Sequence, residues 1–245
     1  MEPAYFLVPT NDLNAPVFNI SGTEAHHALR VRRVKESEKL VVTDGQGLVA
    51  DVEVLTIGPG EQLTVKVLAK RIKQQESPKI IVAQALAKGE RAELAIEILC
   101  EVGVDEIIPW QANRSIVKWD NEKLSKGRDK WQAIAKESTK QSRRAFFPIV
   151  SDALDSSELS NQFDKYEQVV VLDPDSEIKF SKLTADLKNN VLLVIGPEGG
   201  IDESEMDLFT KAGANKASLG ETILRTSTAG GIAVALLMSQ TRWVK

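Results

Sequence analysis

Val191-Leu192-Leu193-Val194-Ile195-Gly196-Pro197-Glu198-Gly199-Gly200 is the stretch whose reading decides the fold class. Its five consecutive apolar residues predict a strand covered on both faces, as in a parallel sheet. The strand runs directly into a turn with three glycines, and Asp202-Glu203-Ser204-Glu205 then opens a helix. Ligands of open α/β sheets bind at the carboxyl ends of strands, and glycine there lets a ligand approach the backbone closely. On composition alone the stretch is equally a bare strand-to-helix turn. The acids of the helix's first turn suit its dipole but repel phosphate. Neither the dinucleotide-binding nor the P-loop spacing is present, so the loop is a poor phosphate cradle.

The segments on either side share this grammar. Residues 80–83, 106–110 and 169–172 read as strands. Residues 88–102 carry Leu94, Ile98 and Val102 at four-residue spacing and read as an amphipathic helix ending at Gly103. Residues 121–144 read as a long polar helix closed by Pro148, and residues 203–212 and 227–242 as two more helices. Strands alternating with helices predict an α/β domain. A short strand ending at Leu219 leads into Gly220-Glu221-Thr222-Ile223-Leu224-Arg225-Thr226-Ser227-Thr228-Ala229-Gly230-Gly231. The small residues let that helix pack closely on its neighbour or on a ligand. Arg225, beside Leu224, points to a bound carboxylate, phosphate or base.

Residues 1–72 read differently. Residues 5–8, 39–43, 48–57 and 63–72 are predicted strands, with turns at Asp44-Gly45-Gln46-Gly47 and Gly58-Pro59-Gly60. Ser21-Gly22-Thr23-Glu24 has the spacing of a capping box and predicts a helix through about Val34. Several β segments and one helix suggest a small barrel. The polar stretch 73–78 (KQQESP) reads as a linker, so the expected domains are 1–72 and 73–245.

Composition narrows the function. The 245 residues are 42% hydrophobic and 27% charged, which excludes a disordered chain and leaves ample material for a core. No apolar stretch approaches the ~20 residues that span a bilayer, and the first residues lack a secretory pattern, so the expected location is the cytoplasm. One cysteine, Cys100, permits no internal disulfide, and no metal site is expected. The only histidines, His26 and His27, are adjacent, which leaves a hydrolytic triad hard to build. Net charge is −4, so any nucleic-acid contact is a directed patch and not bulk charge.

The two glycine stretches together resemble the cofactor loops of the SPOUT methyltransferases. Within that class the chain resembles the bacterial family that methylates N3 of a uridine in 16S ribosomal RNA. The marks appear in order: His26, His27 and Arg30; Arg114-Ser115 with Lys118; Glu137, Gln141-Ser142 and Arg144 before Pro148; residues 196–200; then Leu219-Gly220, Ile223-Leu224-Arg225-Thr226 and Thr228-Ala229. They cover nearly the whole chain. The family has proline-arginine where Glu221-Thr222 stand, and an acid where Ser227 stands.

The resemblance implies a knotted SPOUT-type domain of α/β class, with its C-terminal chain threaded into a trefoil, behind an N-terminal PUA-like β-barrel. It implies S-adenosylmethionine held by backbone groups of three loops, represented here by Leu172, by Gly196, Pro197, Glu198, Gly199, Gly200 and Ile201, and by Leu219, Gly220, Ile223, Leu224, Thr228 and Ala229. The family is homodimeric and acts on 16S rRNA, which places the substrate in the 30S subunit. Arg225, with Arg114 and Arg144 behind it, is the candidate cation for charge developing on the uracil ring. His26, His27, Arg30, Arg32, Arg33, Lys118, Lys140 and Arg143 are the candidate RNA contacts. Each basic cluster alone is also readable as a solvated face, and the histidines as capping or core residues. A second function class, an RNA-binding ribosome-assembly factor of this fold without the chemistry, is motivated by Glu221, Thr222 and Ser227.

Overall fold

The computed structural model describes residues 5–183 and 187–244. The chain forms two compact units. The first takes the residues up to Gln75 together with Thr139–Phe147, and the second takes Glu76–Ser138 and the chain from Pro148 onward. The first unit is therefore discontinuous in the chain, with Thr139–Phe147 joining it from within the second.

In the first unit, β1 (Tyr5–Leu7), β2 (Val17–Ile20), β3 (Lys39–Thr43), β4 (Leu48–Gly58) and β5 (Gln62–Ile72) form one sheet in the order β1-β3-β4-β5-β2. Only β1 and β3 run parallel. Alternation along β4 turns Ala50, Val52 and Val54 into a core shared with Phe6, Phe18, Leu40, Val42, Leu63 and Val65. Each of these valine, leucine or phenylalanine side chains, fully buried, contributes ~1.5–3 kcal/mol.

The expected long helix is shorter and differently capped. It comprises α1 (Gly22–His26) and a π-helical turn over His27–Val31, with Arg33 at φ 55° beyond it. Ser21 makes no side-chain cap bond. Glu24, its expected box partner, instead accepts hydrogen bonds from the Leu7 N–H at 3.1 Å and the Lys140 ammonium at 2.7 Å. A buried cation holds the carboxylate more strongly than the helix's own first N–H.

Thr139–Phe147 docks on the glycine turn between β3 and β4. The Gly47 N–H donates to the Ala145 carbonyl at 3.0 Å, and the Phe147 N–H to the Gly45 carbonyl at 2.9 Å. Gly45 and Gly47 both have positive φ, and a Cβ on them would lie 3.1 Å from the Phe147 ring and 2.6 Å from the Phe146 ring. Glycine is required there for conformation and for room.

The second unit alternates β6 (Ile80–Ala85), α2 (Glu90–Val102), β7 (Glu106–Trp110), α3 (Glu122–Gln141, whose last turn enters the first unit), β8 (Ile149–Val150), α4 (Ser156–Ser160), β9 (Gln168–Leu172), α5 (Phe180–Leu183), β10 (Val191–Ile195), α6 (Glu203–Lys211), β11 (Asn215–Ala217) and α7 (Thr226–Gln240). Its sheet is wholly parallel in the order β11-β9-β10-β6-β7-β8. Val82, Val170 and Leu193 face a core with Ile96, Leu99, Val234 and Leu237, while Ala83, Val171 and Val194 face another with Leu159, Phe163 and Phe209. Both faces are covered, as the apolar run 191–195 requires.

Helix α3 stops at Gln141 and Arg143 has φ 56°, so the reading of helix through Arg144 overshoots. Beyond α7, Arg242 is buried. Its Nε donates to the Pro78 carbonyl at 2.9 Å, its Nη1 to the Gly103 carbonyl at 3.2 Å, and its Nη2 pairs with Asp105. Asp105 also accepts from the Ile80 N–H at 2.8 Å, so this buried pair has the extra hydrogen bonds it needs. Cys100 is buried. Among the described residues no helix is long and apolar enough to cross a membrane.

Candidate active site

Because the second sheet is parallel, its strands all deliver their following loops to one edge. β11, β9 and β10 are neighbours there. Leu172 at the end of β9, residues 196–201 after β10 and residues 219–224 after β11 therefore emerge side by side. Two bonds tie them: Asp173 N–H donates to the Ala217 carbonyl at 3.0 Å, and Thr226 Oγ1 donates to the Gly196 carbonyl at 2.7 Å. Leu172, Leu219 and Leu224 pack against the core behind the loops, while Ile223 is 83% exposed.

The main chain of residues 220–224 makes no hydrogen bond with any described residue. A Cβ built on Gly220 would meet nothing within 4 Å. Open space over a glycine and a run of unused N–H and C=O groups fit a ligand held by backbone, as the three-loop cofactor site requires. At the start of α7, Ala229 is buried and Thr228 Oγ1 bonds the Arg225 carbonyl at 3.2 Å. Pro197 is buried, whereas Glu198, Gly199 and Gly200 are exposed. A Cβ on Gly199 would stand 3.4 Å from Arg114 Cβ, in ordinary van der Waals contact with the Arg114 segment. Gly200, at φ +73°, faces open space.

Two candidate catalytic cations stand on segments that touch the 196–202 loop. Arg225 is the exposed N-cap residue of α7, directly before the threonine that holds Gly196, and it forms no ion pair with a described residue. Arg114 donates to the Gly199 carbonyl at 3.4 Å and lies 3.5 Å from Asp202. The Ser204 hydroxyl and N–H, and then Arg114, hold the Asp202 carboxyl below its ordinary range. Buried Glu205 fixes the arrangement, accepting from the Asn113 N–H at 2.7 Å while closing the capping box with Asp202. The sequence reading missed Arg91, whose Nη1 lies 3.9 Å from Glu198. Its signal was present, since residues 88–91 follow the carboxyl end of β6. Lys118 is exposed, and its ammonium bonds the Ala112 carbonyl at 2.6 Å beside the Arg114 segment.

The remaining candidates belong to the first unit. Arg32 and Arg33 are exposed. Arg143 and Arg144, both partly buried, sit on the strip 139–147. Arg144 is thus carried by a different unit from Arg114 and Arg225. Lys140 is buried in its pair with Glu24, so the RNA role expected of it is corrected to a structural one. His26 and Arg30 share Glu61, at 2.8 and 2.5 Å, and the Arg30 and then the His26 hydrogen bond hold that carboxyl below its usual range. His27 is partly buried, packs its ring 5.8 Å from that of Phe6, and has a buried Nδ1 with no partner among the described residues. No group of three or more His, Cys, Asp or Glu among the described residues could hold a metal ion.

Comparison with known proteins adds independent findings. Residues 75–238 match the RNA methyltransferase domain and residues 20–68 the RNA methyltransferase PUA domain. The ribosomal RNA small subunit methyltransferase E of Mycobacterium tuberculosis is 37% identical over 248 aligned positions, covering 99% of this chain and 94% of that protein. Its counterpart of the same name from Bacillus subtilis is 33% identical, covering 94% and 93%. A methyltransferase from Legionella pneumophila, solved with bound cofactor SAM, superposes with a TM-score of 0.85 at 26% identity, covering 97% of this chain and 96% of that one.

Proposed function

The chain belongs to the RNA methyltransferase family, and on that premise we propose that it methylates N3 of a uridine in 16S ribosomal RNA, using S-adenosylmethionine. The observation that carries this reading is the junction of three strand-end loops whose main chain at 220–224 is unused and whose Gly220 opens onto free space. The bound cofactor supplies a methyl group on a cationic sulfonium. The loop backbones at 196–201 and 219–224 would hold it, Leu172, Leu219 and Leu224 would exclude water behind it, and the Glu198 carboxylate complements its charge.

Uracil N3 carries a weakly acidic proton, and losing it places negative charge on the ring oxygens. Arg225, carried at the head of α7 with its guanidinium free to reach the base, stabilises that charge, with Arg114 behind it. Holding the base and the loops in one geometry supplies much of the rate. In the first unit, Arg32, Arg33 and Arg143 contact phosphates, and Arg144 joins them as a substrate contact. The substrate is rRNA within the 30S subunit, in the cytoplasm.

The second unit is also read as a trefoil knot. In support, the chain leaves the edge strand β11, lays α7 against α2, and returns Arg242 to Pro78 and Asp105. A homodimer is supported by exposed apolar residues on one unit: Ile232 and Leu236 on α7, Leu94 on α2, and Ile223, Trp243 and Val244.

The test is methyl transfer from labelled S-adenosylmethionine to 30S subunits lacking the modification, beside naked 16S RNA. The product is then mapped by nuclease digestion and mass spectrometry. Label at N3 of one uridine, with 30S preferred, is expected. Label at another atom removes the N3 assignment, and RNA binding without transfer returns the chain to the assembly-factor reading.

A further inference from the structure

Parallel pairing sets Gln84, near the end of β6, opposite Ile195, the last residue of β10. The next residue, Gly196, begins the cofactor loop. Gln84 is 1% exposed, and its Nε2 donates to Thr226 Oγ1 at 3.0 Å and to the Ala85 carbonyl at 3.3 Å. The Ala85 carbonyl accepts only a donor, which fixes the orientation of the amide. Thr226 Oγ1 is therefore the acceptor from Gln84, and its own proton goes to the Gly196 carbonyl at 2.7 Å. The direction of the chain is fixed: amide to hydroxyl to loop carbonyl. Gly230 lets α7 pack closely here, since a Cβ on it would stand 3.2 Å from Leu99 and in ordinary contact, 3.4 Å, with Gln84 Oε1.

The other end of the amide is the informative part. Gln84 Oε1 is buried and has no hydrogen-bond partner among the described residues. An unpaired buried oxygen is destabilising, so an apolar side chain at 84 would serve a purely structural role better. What the amide supplies is its N–H end, which orients the hydroxyl at the head of α7.

We propose that Gln84 and Thr226 are positioning residues for the methyl transfer, fixing the Gly196 carbonyl and thereby the 196–201 loop against the N-terminus of α7 where Arg225 stands. This inference rests on the cofactor site proposed above. It assigns no contact of either side chain with the cofactor or with RNA. The two act through the backbone of the loop.

The full-length protein is titrated with S-adenosylmethionine by calorimetry, and melted without it, as wild type, Thr226→Val, Thr226→Ser and Gln84→Met. Thr226→Val keeps the shape and removes the hydroxyl, so its Kd rises about tenfold, the scale of one lost buried hydrogen bond. Thr226→Ser restores affinity to within about threefold. Gln84→Met weakens cofactor binding several-fold, yet its melting temperature stays within about 3 °C of wild type because the unpaired oxygen leaves with the amide. A merely structural role predicts otherwise, with stability and affinity falling together and no rescue by serine. Wild-type affinity in Thr226→Val, or equal weakness in the valine and serine variants, overturns the inference. Should Thr226→Val not fold, wild-type affinity in Gln84→Met overturns it alone. A wild type that binds no S-adenosylmethionine removes the functional reading and this inference together, whereas loss of the inference alone shows only against a binding wild type.

Discussion

Arg225 stands at the head of α7 without an ion-pair partner among the described residues, while Arg114 is engaged by Asp202 and the Gly199 carbonyl. A guanidinium left free beside a ligand loop is available to a substrate. Arg225→Ala should therefore lower kcat by about 10²–10³-fold, the range for removing one charge-stabilising donor. Cofactor affinity, measured by calorimetry, should stay near wild type, and a pure loss of cofactor binding would move Arg225 to the cofactor itself. The glycines separate in the same way. Gly220→Val places a side chain in open space over the unused backbone, so the fold survives and S-adenosylmethionine binding is lost. Gly199→Val presses on Arg114 instead and should disturb turnover more than binding. Equal calorimetric affinities for wild type and Gly220→Val would show that residues 219–224 do not carry the cofactor.

Among the elements, α7 has two tasks. Ala233, Val234, Leu237 and Met238 bury one face, yet Ile232 and Leu236, one turn apart, stay exposed. If that face meets a second copy, Leu236→Asp should yield monomers by sedimentation at micromolar concentration while leaving the melt cooperative. An unchanged dimer would put the interface elsewhere, and a monomeric wild type would remove it. The long or strongly apolar elements were legible in the sequence: β10, β9, α2 and α7 carry their burial as a period or a run. β2, β8, α4 and α5 were not, since two to five residues hold too little pattern and their partners are distant in the chain. The glycine loops were legible because a strand end followed by glycine says where a ligand can approach. Lys140 was misread for a complementary reason: a lysine at helical spacing looks solvated until the fold brings Glu24, 116 residues away, to its ammonium.

At the scale of the molecule, two features bind distant parts of the chain. The Arg242–Asp105 pair, with Pro78 and Gly103, ties the last turn to the start of the second unit's sheet. Removing one partner of a buried pair costs about 3–5 kcal/mol, so Arg242→Met should lower the melting temperature by roughly 10 °C. Adding Asp105→Asn should recover part of that loss, because the stranded charge is then gone. In the first unit, Arg32→Ala with Arg33→Ala should weaken RNA binding and flatten its dependence on salt, since fewer counterions are released. Unchanged affinity across a salt series would mark those arginines as a solvated face. The other feature is the strip Thr139–Phe147, which completes the first unit from far along the chain. Synthesis runs from the N-terminus, so Gly45 and Gly47 leave the ribosome long before Phe146 and Phe147 exist to cover them. The first unit has all of its residues only once Phe147 has been made. The two units consequently mature as one product, and no single cut in the gene yields either of them whole.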